Sequence, residues 1–344
     1  MLKIWFNHWF STAYHIINMM KEYGDAYIVG SSRNPDSVVG LACDEWHTEP
    51  DNISDEEYVK WCAEFCRKNR IDVFVPRRGM DIISRSRELF DVIGTRLLLD
   101  TDPVIMNILQ SKSGTYKWAS GFAPECVPVH FAVSSMDEFE AAYEKITSEY
   151  ERACFKFDRD EGAVSFRVID NTMGGADGLY KAPGMKLSLE SARSVLSASG
   201  FEKPVIVMPY LTGTEVSADC LSGNGVTEDI IIPRYKSNGR IYTVKFDSGI
   251  VSLCGKILRS SGLSMPCNIQ FKYHGDKPYL LEINTRMSGG VQLSCLGAGV
   301  NIPKIALGRV MGEYIPFEQK REECKVSYIE TPVSLIEKNA ALLM

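Results

Sequence analysis

Residues 267–290 read CNIQFKYHGDKPYLLEINTRMSGG, and this stretch decides the fold. Two segments of period two, 267–273 and 278–284, flank the turn residues His274, Gly275, Asp276 and Lys277, which is a hairpin pattern. Alternation puts Asn268, Gln270 and Lys272 on one face of the first strand, and Leu280, Glu282 and Asn284 on one face of the second. With the turn centred near Gly275, Gln270 lies across the ladder from Glu282, give or take one residue. Gln270, Glu282 and Asn284 then bring three oxygen donors together. Magnesium prefers such hard oxygens and binds through one or two carboxylates plus substrate phosphates. Taken singly, Glu282 or Asn284 also fits the end of an ordinary edge strand. The ordered set fits that reading poorly, because an apolar strand reading LLEIN has little reason to turn polar. Arg286 and Ser288-Gly289-Gly290 follow, ahead of an apolar helical run. A guanidinium there can hold a transferring phosphoryl group, and the glycines open the amides of a helix start to an anion.

Upstream, residues 205–221 read VIVMPYLTGTEVSADCL. An apolar strand stops at Pro209, crosses a glycine-containing link and resumes with Glu215, Ser217 and Asp219 alternating. Backbone groups exposed in such a link can pair with an adenine edge, and the carboxylate beyond can take ribose hydroxyls. The bland alternative is a hairpin with an acidic, solvent-facing edge.

The first hundred residues alternate strands (2–6, 26–30, 71–75, 96–99) with helical patterns (14–23, 54–69, 85–93), which implies a parallel sheet covered on both faces. Its strand ends carry residues 7–11, 31–34 and the pair Arg77 and Arg78, and none is a G-x-G-x-x-G, so nicotinamide binding has no support. Arg77 and Arg78 fit either an anion trap or a surface pair. Trp5, Phe6, Trp9, Phe10 and Tyr14 fit core packing better than a pocket wall. Beyond residue 101 come helices at 102–120 and 135–150, a hairpin at 154–157 and 164–169, a turn-rich stretch at 171–184 holding Gly174, Gly175, Gly178 and Gly184, and a helix at 187–198. Strands follow at 205–208, 215–221, 229–235 and 241–246, then a helix ending near 260.

The chain has 344 residues, 38 Lys plus Arg against 44 Asp plus Glu, and a net charge of −6. That length allows two or three packed units, and the acidic balance argues against broad nucleic-acid binding. Ten cysteines without a C-x-x-C read as free thiols. With neither a secretory signal nor an apolar run of about 18 residues, the expectation is a cytoplasmic protein away from the membrane.

Y-L-x-G-x-E-x-S-x-D, then N-x-Q, then L-L-E-I-N-x-R-x-S-G-G, in this order, resembles the ATP-grasp superfamily, in the branch similar to carbamoyl-phosphate synthetase and biotin carboxylase. The likeness covers roughly residues 101–315. It implies an α/β and α+β chain: a parallel-sheet pre-ATP-grasp domain (1–100), then a small lobe with its connecting helix (101–208) and a C-terminal lobe (209–344). It makes Met208, Pro209, Tyr210 and Leu211 the adenine hinge and Glu215 the ribose ligand. Lys112 and Lys156 reach the phosphates, and Gln270, Glu282 and Asn284 hold magnesium or manganese. Arg286 stabilises the transferring phosphoryl group. Apart from the likeness, Arg234 and Lys236 alternate on one strand and fit equally groups that face the triphosphate or an acyl phosphate and ordinary exposed strand charges. The sequence departs from the family in its phosphate loop, where only Gly162 stands beside Ala163 and Ser165, and where Asp158, Asp160 and Glu161 add negative charge. The hinge also lacks the acidic residue many relatives carry. The implied activity is an ATP-dependent ligase joining a small carboxylate to an amine or thiol through an acyl phosphate, with a homodimer compatible. A phosphotransferase without ligation and a non-catalytic ATP-binding protein are the alternatives.

Overall fold

The computed structural model describes residues 1–100, 102–160, 162, 164–172, 184–237 and 239–335. Glu161, Ala163 and the glycines 174, 175 and 178 lie outside them.

By internal contacts the chain forms two compact units, each assembled from separated stretches. Unit 1 comprises Met1–Asn107, Val216–Ile269 and the chain from Asn284 onward; unit 2 comprises Ile108–Glu215 and Gln270–Ile283.

Unit 1 opens with β1 (Leu2–Asn7), α1 (Ala13–Lys21), β2 (Ala26–Ser32), β3 (Glu45–Thr48), α2 (Asp55–Asn69) and β4 (Val73–Val75). Two short helices, α3 (Met80–Arg85) and α4 (Glu88–Asp91), precede β5 (Arg96–Leu97). The five strands form one parallel sheet in the order β3-β2-β1-β4-β5. Alternation along β1 supplies both layers. Ile4 and Phe6 join the core formed with α1, whereas Trp5 joins the core formed with α2, stacked 4.0 Å from Phe74. Helix α2 starts where Ser54 and Glu57 form a reciprocal capping box, and it stops where Arg70 turns left-handed at φ 52°. The helix expected over 85–93 is instead α3 and α4, because Gly79 at φ 70° starts a helix earlier. Trp5, Phe6 and Trp9 are buried in the core.

Helix α5 (Pro103–Gln110) leads from unit 1 into unit 2, which draws on α6 (Lys112–Ala119), β6 (Phe131–Val133), α7 (Met136–Thr147), β7 (Ala153–Phe157), β8 (Arg167–Ile169), β9 (Lys186–Leu187), α8 (Leu189–Ser199) and β10 (Val205–Pro209). One continuous helix over 102–120 is not formed. Ser111 is extended (φ −97°, ψ 126°), and its hydroxyl accepts from Gly114 N–H, so the chain breaks there and α6 restarts with Lys112. The sheet order is β6-β10-β7-β8-β9, and Val205, Val207 and Phe155 pack one of its faces against α7 and α8. The remaining elements are β11 (Glu215–Leu221), β12 (Ile230–Lys236), β13 (Ile241–Val244), α9 (Ser248–Ser261), β14 (Cys267–His274), β15 (Lys277–Asn284), α10 (Val291–Ala298), α11 (Ile302–Met311) and β16 (Cys324–Ser327). Their strands form a sheet in the order β15-β14-β11-β12-β13-β16. All ten cysteines are free thiols, and no described helix is long and apolar enough to cross a membrane.

Candidate functional site

In unit 2 the face of the sheet opposite the α7–α8 core carries the lysine and the hinge. Lys156 on β7 pairs with Ile206 on β10, and Cys154 pairs with Met208. Because successive residues alternate faces, Cys154, Lys156, Ile206 and Met208 point away from Val205, Val207 and Phe155. Burial lowers the Lys156 ammonium to about 8; Lys112 pushes the same way, and Glu282 opposes it. Lys112 and Glu282 therefore both act on Lys156. Glu282 also acts on the fully buried Tyr116, whose hydroxyl donates to Leu281 O at 2.9 Å and ties β15 to α6.

Two of the acidic residues in the stretch expected to cover the phosphates, Asp158 and Asp160, have defined partners. Asp158 Oδ2 accepts from Ser111 Oγ (2.6 Å) and Oδ1 from Ser113 N–H (2.7 Å), so this carboxylate caps the start of α6. The Asp160 carboxylate accepts from Ser165 N–H at 2.8 Å and from the Ser165 hydroxyl, while its carbonyl accepts from Lys112 Nζ at 2.7 Å. Asp158 and Asp160 thus shape the loop and seat Lys112.

The hinge follows directly. Met208 and Leu211 are buried, Tyr210 N–H donates to Arg152 O (2.8 Å), and the Tyr210 ring has Arg152 at 5.3 Å and Lys272 at 5.9 Å. The link is no hairpin, since β10 and β11 lie in different sheets. Gly213 N–H donates to Tyr273 O and Tyr273 N–H to Thr214 O. A Cβ on Gly213 would stand 2.5 Å from Tyr273 O. Gly213→Ala must therefore displace backbone; it is expected to cost about 1–3 kcal/mol in urea unfolding. Glu215, half-buried, begins β11. Gln270 and Glu282 are half-buried on β14 and β15.

Unit 1 holds the remaining predicted residues. Arg286 Nη2 donates to Asn284 Oδ1 (3.3 Å), Nη1 donates to Met287 O (3.2 Å), and the guanidinium lies 5.6 Å from the Phe10 ring centre. Arg234 is buried in a polar network. Its Nε donates to Ser294 Oγ (3.0 Å), its Nη2 to Ser217 Oγ (3.3 Å) and Ser288 Oγ (3.5 Å), and it pairs with Asp219 at 3.5 Å. Asp219 also accepts from Ser294 Oγ (2.6 Å) and Asn268 Nδ2 (2.9 Å). Asp219 is 1 % exposed, which corrects the reading of an acidic edge facing solvent. Lys236 is exposed at the end of β12. Gly290 permits the close approach of Arg234, since a Cβ there would meet Nη2 at 2.4 Å. Its own N–H donates to Ser288 Oγ, at the start of α10. Asn268, Ser288 and Ser294 are the support residues that sequence reading missed. Asn268 was visible as a polar residue in the alternation, but its partners on β11 were not.

As a donor set for magnesium, Gln270, Glu282 and Asn284 offer one carboxylate and two amide oxygens. Among the described residues no group of three His, Cys, Asp or Glu side chains gathers as a metal site. One carboxylate fits a hard cation that takes its other ligands from water and substrate phosphates.

Residues 201–332 match a family described as ATP-grasp in the biosynthetic pathway with Ter operon. No curated protein gives a significant sequence match. Among solved structures, N5-carboxyaminoimidazole synthetase from Staphylococcus aureus complexed with ADP aligns at TM-score 0.69 and 13% identity, covering 93% of this chain and 80% of that one. The biotin carboxylase domain of Hydrogenobacter thermophilus 2-oxoglutarate carboxylase, in complex with MgADP, ADP and bicarbonate, aligns at 0.66 and 14% identity, covering 92% and 71%. The L-amino acid ligase from Bacillus licheniformis aligns at 0.63 and 12% identity, covering 90% and 74%.

Proposed function

We propose that this chain is an ATP-grasp protein and an ADP-forming ligase that uses ATP to join a small carboxylic acid to an amine or thiol. The observation that carries this reading is that Lys112 and Glu282 both act on Lys156, which lies on the sheet face that also bears Met208. The fold neighbours crystallised with ADP or MgADP support it.

Met208, Pro209, Tyr210 and Leu211 would receive the adenine, Glu215 the ribose, and Lys112 and Lys156 the phosphates. Gln270, Glu282 and Asn284 would hold magnesium or manganese, which supplies charge neutralisation between the phosphates. A carboxylate oxygen of the acid attacks the γ-phosphorus as the bond to ADP breaks, leaving an acyl phosphate; the amine or thiol then attacks the acyl carbon, and phosphate leaves. Arg286 would neutralise the transferring group. The protein's part is placement and charge, with no covalent enzyme intermediate.

The test is incubation of purified protein with MgATP and pools of acids and amines, followed by product mass spectrometry. ADP with a ligated product supports the reading. ADP with only a phosphorylated acid makes it a phosphotransferase, and ADP binding without turnover makes it a nucleotide-binding protein.

A pH dependence follows from Lys156. Its pKa is depressed to about 8, so the ammonium is charged below that value and is lost above it. ADP affinity is expected to fall as pH rises through about 8, and Lys156→Gln to flatten that limb. Calorimetric titrations at pH 6.5 to 9.5 measure both; a flat wild-type profile would remove Lys156 from the phosphate site.

A further inference from the structure

Unit 1 gathers charged side chains at the carboxyl ends of β1, β2 and β4 that the nucleotide reading leaves unused. The strand order β3-β2-β1-β4-β5 changes direction between β1 and β4. Connections leave neighbouring strands toward opposite faces at such a reversal, so a crevice opens beyond the strand ends, and ligands of open parallel sheets bind there.

Asn7, the last residue of β1 and fully buried, spans this crevice. Its amide nitrogen donates to Arg78 O (3.0 Å) and Tyr58 OH (2.8 Å), and its carbonyl oxygen accepts from Arg77 N–H. It thereby fixes the backbone of Arg77 and Arg78, in the turn after β4, beside the end of β1. The floor beneath them is satisfied: buried Glu49 accepts from Ser31 Oγ (2.9 Å), Tyr58 OH (2.9 Å) and Arg78 Nη1 (3.1 Å), and Arg78 lies 4.0 Å from the Tyr58 ring centre. Burial keeps Tyr58 protonated, as its donation to Glu49 requires.

His8 follows Asn7 with φ 46°, a left-handed conformation that costs a non-glycine residue about 1–2 kcal/mol. Surrounding bonds hold it there: His8 N–H donates to Ser31 O (2.6 Å), and Nδ1 lies 3.3 Å from Ser32 Oγ. The imidazole is pushed below its usual range by burial; Arg33, Arg78 and Arg77 add to this and Glu49 alone opposes it. Arg33 pairs with Asp51 and Arg78 with Glu49, each at 3.1 Å, so three guanidiniums stand against two carboxylates at this strand end.

We propose that this crevice is a binding site for an anionic small molecule, whose carboxylate or phosphate group sits among His8, Arg33, Arg77 and Arg78. Guanidinium forks match the paired oxygens of either group. The site uses none of the residues assigned to the nucleotide and stands whether or not the chain is a ligase.

The test is calorimetric titration of the full chain with inorganic phosphate and, separately, with succinate, each with and without saturating ADP. The two arms distinguish a phosphate site from a carboxylate site. Saturable binding of at least one anion is expected, unaffected by ADP and weakened at least tenfold in both His8→Gly and Arg77→Gln. His8→Gly suits the left-handed backbone, so the fold is retained, and ADP affinity should stay within twofold in both variants. Binding of neither anion, binding lost on adding ADP, or a tenfold loss missing from either variant would overturn the proposal.

Discussion

Glu282→Gln is expected to lower ADP formation at least about 10³-fold, which corresponds to roughly 4 kcal/mol of lost transition-state stabilisation. Glu282 is the one carboxylate among Gln270, Glu282 and Asn284, and it lies half-buried where Lys156 and Tyr116 both sense its charge. Glutamine keeps its shape and removes the charge, so the divalent ion loses its anionic ligand while the strand stays intact. A second effect separates this account from general damage. Glu282 holds the Lys156 pKa up, so its neutralisation should move the alkaline loss of ADP affinity to lower pH. Steady-state ADP release and the pH series of ADP titrations read the two effects. Turnover within tenfold of wild type would take Glu282 out of the metal site.

Much of this arrangement was legible in the sequence, for reasons that particular residues make plain. The period-two runs around Gly275 became β14 and β15, because strand alternation and a turn are local properties. The parallel sheet of unit 1 was equally legible, since apolar runs and amphipathic helices alternate there. Capping was read less well. Ser111 starts α6 by accepting from Gly114 N–H, and Asp158, 47 residues away, accepts from its hydroxyl in turn. Nothing local to residues 102–120 announces that bond. The same bond gives the Asp158 carboxylate a structural role at the start of α6. Chain order likewise left open whether the Pro209–Gly213 link was a hairpin or a crossing between sheets, and strand pairing decided for the crossing. The roles of Arg77 and Arg78 were balanced in the sequence; Asn7, seventy residues upstream, is what fixes their backbone at the end of β1.

Arg234→Met is expected to destabilise the chain by about 3–5 kcal/mol, a large share of the roughly 5–15 kcal/mol typical of a folded domain. The methionine replaces the stem of the arginine but removes the fork that reaches Ser217, Ser288, Ser294 and Asp219. Asp219, 1 % exposed, would keep its donors Asn268 and Ser294 and lose its positive partner. A buried carboxylate left without its cation is the costly outcome; the pair itself contributes much less than its rupture costs. Asp219→Asn in the Arg234→Met background should therefore recover part of the loss, and the double-mutant cycle should show coupling above about 1 kcal/mol. Guanidinium chloride unfolding of the four proteins measures it. This sets Arg234 apart from Arg286, half-buried beside Asn284, Met287 and the Phe10 ring, which is proposed to meet the phosphoryl group. Arg286→Met is expected to leave the unfolding midpoint nearly unchanged while ADP formation falls. If Arg234→Met unfolds like wild type and loses turnover alone, the buried network is not what holds the Ser288–Gly290 turn, and Arg234 belongs with the groups that meet the substrate.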